Sequence, residues 1–164
     1  MPKLSFALKN YLHWIFWAVV IIVLDQVSKQ LVVGWLSYGE QIPLVPSLNL
    51  TLAYNPGAAF SFLADAGGWQ RHFFTALALG VSGFILWVLW FKPQDAWMNW
   101  SLTLIMAGAI GNVIDRILFG HVIDFIQVYY KTWYFPAFNV ADSAISIGAA
   151  VMLIDGFFHK EERS

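Results

Sequence analysis

The chain has 164 residues, of which 59% are hydrophobic, 18% are aromatic and only 12% are charged. This composition excludes a small water-soluble protein, which needs more polar side chains to cover its surface, and a disordered chain, which has the opposite bias. The net charge of −1 excludes a nucleic-acid-binding protein that depends on a basic surface, and the absence of cysteine excludes disulfides, thiolate metal sites and cysteine nucleophiles.

Four apolar segments are long enough to cross a bilayer, which requires about 20 mostly apolar helical residues. The clearest are residues 72–91 and 96–114, neither of which contains a formally charged residue. The predicted transmembrane helices are residues 12–34, 70–91, 97–117 and 139–158, with external segments at about 35–69 and 118–138. We therefore expect a single integral-membrane domain over residues 1–164. Its fold class is membrane all-α, a four-transmembrane-helix bundle with a small external β-strand region and an external interfacial helix or loop.

The basic residues indicate how the chain is oriented. With four spans both termini lie on one side, and that side also carries most of the basic residues: Lys3, Lys9, Lys92, Lys160 and Arg163. Residues 32–70, on the other side, contain no Lys or Arg, so the positive-inside rule predicts cytoplasmic termini. The first span follows basic residues as a signal peptide does. However, it continues past Asp25 without a small-residue cleavage site, so an uncleaved anchor is expected.

The two external segments have different patterns. Residues 48–55 alternate apolar with smaller or polar side chains, which is the period of two typical of a β-strand. The following Asn55-Pro56-Gly57 predicts a turn, because Pro and Gly suit the two central positions of a type II turn. Residues 120–136 are rich in aromatic side chains, which settle at membrane interfaces, so we expect an interfacial helix or loop there.

Ionisable residues inside membrane spans are costly, so each one needs an explanation. Asp25 and Lys29 lie four residues apart on one helical face and are predicted to pair, either within a functional site or only to hold the helix end near the headgroups. One arc of the third span carries four small or polar residues: Gly108, Asn112, Asp115 and Arg116. Glycine favours close helix packing, whereas the donors of Asn112 and Arg116 suit peptide or phosphate oxygens.

Asp124 and Asp142 lie among apolar residues at the predicted outer membrane boundary. Taken singly, each has a structural explanation: an Asp in the first turn of a helix stabilises the helix dipole, and Asn139 is a suitable N-cap for that helix. As a pair, on segments joined by a short interfacial stretch, the two aspartates are expected to meet. Two close carboxyls cannot both ionise cheaply, so one keeps its proton, which supplies a general base for water and a general acid.

Five short motifs occur in order along the chain: Asp25-Gln26-Val27-Ser28-Lys29, Asn55-Pro56-Gly57-Ala58-Ala59-Phe60, Gly111-Asn112-Val113-Ile114-Asp115-Arg116, Val122-Ile123-Asp124-Phe125 and Phe138-Asn139-Val140-Ala141-Asp142-Ser143. Together they resemble the bacterial lipoprotein signal peptidases (signal peptidase II) over essentially the whole chain. The chain departs from the family at one point, because it has Ala107-Gly108 where the family usually has two glycines. That difference alters a packing face and leaves the catalytic assignment intact.

The resemblance implies an aspartic endopeptidase of the bacterial cytoplasmic (inner) membrane, with its active site near the outer face. Such an enzyme removes signal peptides from prolipoproteins whose future N-terminal cysteine already carries a diacylglyceryl group. The resemblance further implies a monomer that needs no metal and no cofactor, contacts membrane lipid and is inhibited by the peptide antibiotic globomycin.

The resemblance also assigns roles to individual residues. The catalytic pair would be Asp124 and Asp142. The substrate-binding and supporting positions would be Asp25, Lys29, Asn55, Gly57, Gly108, Asn112, Asp115, Arg116 and Asn139. Among these, Asp115 is expected to steady Arg116.

The residues alone leave two other functions open. A small proton-coupled transporter would use the same carboxylates as a relay: Asp25, Asp115, Asp124 and Asp142. Such relays usually include groups near the membrane midplane and on both sides, whereas these acids lie at the outer ends of their spans. A non-enzymatic membrane scaffold would use the polar residues for helix assembly. A zinc peptidase is not favoured, because the sequence contains no HExxH-like pair.

Overall fold

The computed structural model describes residues 2–57, 68–92 and 94–158. These residues form the elements α1 Pro2–Trp35, β1 Gln41–Val45, β2 Leu48–Asn55, α2 Trp69–Phe91, α3 Ala96–Leu118, β3 Val122–Tyr130, β4 Trp133–Tyr134 and α4 Val140–Phe158. Within the described ranges, four helices are long and apolar enough to cross a membrane. This confirms the predicted fold class, although α1 begins earlier than the predicted first span.

α3 lies at the centre of the bundle and packs against the other three helices. Its contact with α4 is close because small residues face each other along it. A Cβ atom on Gly108 would collide with the backbone carbonyl of Ala141, and one on Gly148 would lie 2.8 Å from the carbonyl oxygen of Ser101. These glycines let the first half of α4 pack directly against α3. Elsewhere in the bundle, α1, α2 and α3 bury a common apolar core that includes Trp14, Leu89 and Met106.

The strands form one antiparallel sheet in the order β1-β2-β3-β4. The strand predicted at residues 48–55 is β2. At residues 120–136 the prediction of an interfacial helix or loop is wrong in its secondary structure. Strands β3 and β4 occupy most of this segment. β3 is rich in β-branched and aromatic residues, which favour strands, and β2 supplies a hydrogen-bonding partner that a loop would lack.

The β2–β3 pairing brings two of the predicted site residues towards the helices. Asn55 ends β2 opposite Val122, and Ala53 pairs with Asp124. After Asn55 the chain turns: the Gly57 N–H donates to Asn55 Oδ1 at 3.0 Å, and Gly57 has a φ of 112°, where a side chain would be strained. The rest of this motif, Ala58-Ala59-Phe60, lies outside the described residues.

Candidate active site

A buried polar cluster lies where α1, α3, β3 and the start of α4 meet. Six of its side chains are at most 5% exposed: Asp25, Lys29, Asn112, Asp115, Asp124 and Asn139. Asp142 is only partly buried. Residues more than a hundred positions apart in the chain are thus brought together in apolar surroundings, where charged groups are unfavourable unless they are paired or protonated.

Lys29 is the centre of the inner half of this cluster. Its Nζ lies 2.8 Å from Asp25 Oδ2 and 2.9 Å from Asp115 Oδ2, and it donates to Asn112 Oδ1 at 3.1 Å. The predicted pairing of Asp25 with Lys29 is therefore present, and a second carboxylate joins it from α3. Asp115 is thus held within this pairing, and its role in steadying Arg116 stays a prediction.

Gln26 joins the same two carboxylates from the other side. Its Nε2 donates to Asp25 Oδ2 at 3.1 Å, to Asp115 Oδ1 at 2.9 Å and to the carbonyl oxygen of Gly111 at 3.1 Å. We call Asp25, Gln26, Lys29 and Asp115 the Lys29 cluster. Sequence reasoning did not single out Gln26, although a polar amide within an apolar span and next to Asp25 was a usable signal.

The two carboxylates of the Lys29 cluster each hold the backbone in front of another aspartate. The Ile123 N–H, directly before Asp124, donates to Asp115 Oδ2 at 3.0 Å. The Ala141 N–H, directly before Asp142, donates to Asp25 Oδ1 at 2.8 Å. The Lys29 cluster therefore fixes β3 and α4 relative to each other, and it does so directly before Asp124 and Asp142.

Two asparagines connect the Lys29 cluster to those aspartates. Asn139 Nδ2 donates to Asp124 Oδ1 at 2.7 Å, and Asn112 Nδ2 donates to Asp142 Oδ1 at 2.8 Å. Because Asn112 Oδ1 accepts from Lys29, its amide nitrogen must face Asp142. Asn139 also caps α4, since its Oδ1 accepts the Asp142 N–H at 2.8 Å, as predicted for an N-cap.

Asp124 lies outside the membrane-spanning helices and is protonated more readily than an ordinary aspartate. Burial, with a further contribution from the nearby charge of Asp142, raises its pKa to about 7. Hydrogen bonds from Asn55 and Asn139 oppose this rise. A carboxyl that holds its proton near neutral pH beside a second carboxyl can act as an acid while its neighbour acts as a base.

The remaining predicted residues lie around this pair. Arg116 donates from Nη1 to the carbonyl oxygen of Asn112 at 3.3 Å, and its guanidinium lies 5.7 Å from the centre of the Phe74 ring. The Arg116 Nε–H is buried and has no hydrogen-bond partner in the described part of the chain. Gly57 lies under the start of α2, and Gly108 gives α4 its close approach to α3.

The chain is similar to known proteins over nearly its whole length. The family model of signal peptidase II matches residues 17–158. A lipoprotein signal peptidase of Chromobacterium violaceum is 54% identical over 149 residues, which covers 90% of this chain and 92% of that protein. One of Pseudoalteromonas translucida is 49% identical over 160 residues, covering 96% and 94%. A bacterial membrane enzyme solved by the in meso method has a TM-score of 0.78 and 31% identity, covering 90% of this chain and 91% of that one.

Proposed function

Because the chain belongs to the signal peptidase II family, and is therefore a multi-pass membrane peptidase that processes prolipoproteins, we propose that Asp124 and Asp142 form its catalytic dyad. The single observation that carries this proposal is that two separate asparagines hold the two carboxyls on one buried network. The substrate is a prolipoprotein whose cysteine carries a diacylglyceryl group.

The dyad supplies both proton transfers that peptide hydrolysis requires. The ionised carboxyl takes a proton from water as the water oxygen attacks the carbonyl carbon of the scissile bond. The protonated carboxyl stabilises the oxygen of the tetrahedral intermediate by donating to it. The carboxyl that took the proton from water then gives it to the leaving nitrogen, and the C–N bond breaks. The two aspartates titrate as a unit, so acid and base belong to the pair.

Arg116 is the group in this arrangement that is best suited to hold the substrate backbone. Asn112 and Asn139 direct their amide N–H groups to the carboxyls of the dyad. The guanidinium of Arg116 has five donors, and its Nε–H is unused in the described structure. We assign Arg116 to a carbonyl oxygen of the signal peptide, close to the scissile bond.

The location of the site in the membrane is part of the same proposal. Positive-inside topology places the termini in the cytoplasm, and hence the sheet and the dyad at the outer face of the inner membrane. A lipid-modified substrate stays in the bilayer and enters from the side. One chain provides every residue assigned to the site, which supports a monomer, and globomycin, as a peptide, would occupy the position of the substrate.

Activity is expected to fall on the alkaline side of about pH 7. The pKa of Asp124 is raised to about 7, so its proton is present below that pH and is lost as the pH rises through it. The dyad then loses its acid form. A profile of kcat/KM against pH, measured with a lipidated precursor, tests this expectation. A kcat/KM that increases steadily between about pH 7 and 9 would contradict it.

The direct test of the function is cleavage of a synthetic precursor by the purified protein in detergent. We expect mass spectrometry to show a cut immediately before the diacylglyceryl-modified cysteine, with EDTA leaving the rate unchanged. Within the described ranges, no three His, Asp or Glu side chains are placed to hold a metal ion. Proton uptake by reconstituted vesicles, without cleavage, would instead favour the transporter. Inhibition by EDTA that zinc reverses would contradict the metal-free dyad.

A further inference from the structure

A cavity of about 450 Å³ lies beside Asp142. Its lining comes from α4 and from the chain between β4 and α4: Phe135, Phe138, Asp142, Ser143, Ser146 and Ile147. Phe135 and Phe138 contact each other edge to face, with ring centres 6.2 Å apart. The cavity thus joins one carboxyl of the proposed dyad to the outer surface of a membrane-spanning helix.

The two serines of this cavity differ in their hydrogen bonding. The Ser143 hydroxyl donates to the carbonyl oxygen of Asn139 at 2.9 Å. Ser146 is exposed on α4, its hydroxyl makes no hydrogen bond within the described part of the chain, and it lies beside Ile147, whose side chain is 55% exposed. An exposed hydroxyl in an apolar lining is free to donate to an acceptor on a ligand, and such a bond gains strength where water is scarce.

The position of Ser146 matches the geometry of a lipid-modified substrate. Ser146 lies four residues after Asp142, about 6 Å further along the helix towards the bilayer interior. In the substrate, the glyceryl group is attached to the sulfur of the cysteine that follows the scissile bond. When this linkage is extended, its nearer ester carbonyl lies up to about 10 Å from the scissile carbon in a straight line. An ester carbonyl therefore reaches Ser146 while the scissile carbon is at the dyad.

We propose that the cavity holds the glyceryl ester of the substrate, and that Ser146 donates a hydrogen bond to an ester carbonyl. The acyl chains then continue past Ile147 into the bilayer. This inference rests on the proposed function and adds a residue that recognises the lipid rather than the peptide. An ester suits this cavity because its carbonyl can accept the hydrogen bond from Ser146, while the rest of the group is apolar like most of the lining.

The test compares two synthetic precursors that differ only at the lipid linkage, a diacylglyceryl ester and its dialkylglyceryl ether, which lacks the carbonyl. For the ester precursor, Ser146→Ala is expected to lower kcat/KM about fivefold, the effect of one hydrogen bond. For the ether precursor, kcat/KM of the wild type is expected to be lower already by a similar factor. Ser146→Ala should then cause no further decrease. Ser146→Thr, which keeps a hydroxyl, is expected to retain activity on the ester.

Ser143→Ala is the matched control, because the Ser143 hydroxyl already bonds to the Asn139 carbonyl and any effect should be equal on both precursors. Equal losses for Ser146→Ala on both precursors, or no loss on either, would overturn the inference. The assay is first run in a maltoside detergent without ester groups and then in discs of ester phospholipid. An effect of Ser146→Ala that appears only in the discs would assign the hydroxyl to bulk lipid and reject the substrate contact. Failure of the wild type to cleave either precursor would instead reject the proposed function.

Discussion

Replacing either Asp124 or Asp142 by Asn is expected to lower cleavage of a lipidated precursor by at least about 1,000-fold. Asn has the shape of Asp but can neither take a proton from water nor return one to the leaving nitrogen. Asn139 and Asn112 each hold one of the carboxyls, so both positions are already packed around a group of this size. The measurement is the rate of product release by purified protein in detergent, with the thermal unfolding temperature recorded alongside.

The matched control for these variants is Asp155→Asn. Asp155 is also a buried aspartate of α4, but it lies at the other end of the helix from Asp142. We expect this variant to keep most of its activity. Substantial cleavage by Asp124→Asn or Asp142→Asn would exclude the dyad. Equal losses in all three variants would show that any buried aspartate of the bundle is needed for folding rather than for chemistry.

Replacing Lys29 by Met is expected to destabilise the protein by about 3–5 kcal/mol. Lys29 is fully buried between Asp25 and Asp115, and removing its ammonium group leaves two buried carboxylates without a countercharge. Because these carboxylates hold the amides directly before Asp124 and Asp142, cleavage should fall together with stability. Thermal unfolding in detergent, with the cleavage rate of the remaining folded protein, measures both effects.

A second variant separates charge from packing in this experiment. Adding Asp115→Asn to Lys29→Met removes one of the two uncompensated charges, so part of the lost stability should return. Lys9→Met, which changes an exposed lysine of α1, is the control and should unfold close to the wild-type temperature. If Lys29→Met also unfolds close to that temperature, the Lys29 cluster does not carry the structural role given to it here.

The helices and the pairing of Asp25 with Lys29 could be predicted from the sequence because both depend on local spacing. Asp25 and Lys29 are one helical turn apart, so their contact follows from the geometry of a single helix. The second partner of Lys29 could not be predicted from the sequence, since Asp115 reaches Lys29 only through the packing of α3 against α1. The resemblance assigned Asp115 a role beside Arg116, and the ion pair with Lys29 is a further contact that the sequence did not indicate.

The external segments show the same limit. β2 has a clean period of two and was predicted, whereas β3 carries near-continuous apolar and aromatic residues that also fit a membrane interface. What makes β3 a strand is its pairing with β2, more than sixty residues earlier in the chain. Asp124 and Asp142 stood out in the sequence because charged residues are rare in this chain. The asparagine bonds that hold the two aspartates required the three-dimensional structure.

The complete burial of Lys29 and Asp115 has a consequence for the conditions in which the protein works. Dissolved ions largely screen the attraction between exposed charges that are more than about 10 Å apart at ordinary ionic strength, and they act far less on charges that solvent cannot reach. The ion pairs that fix the backbone before Asp124 and Asp142 are inaccessible in this sense. The relative positions of the two aspartates are therefore insulated from changes in the ionic strength of the surrounding solution.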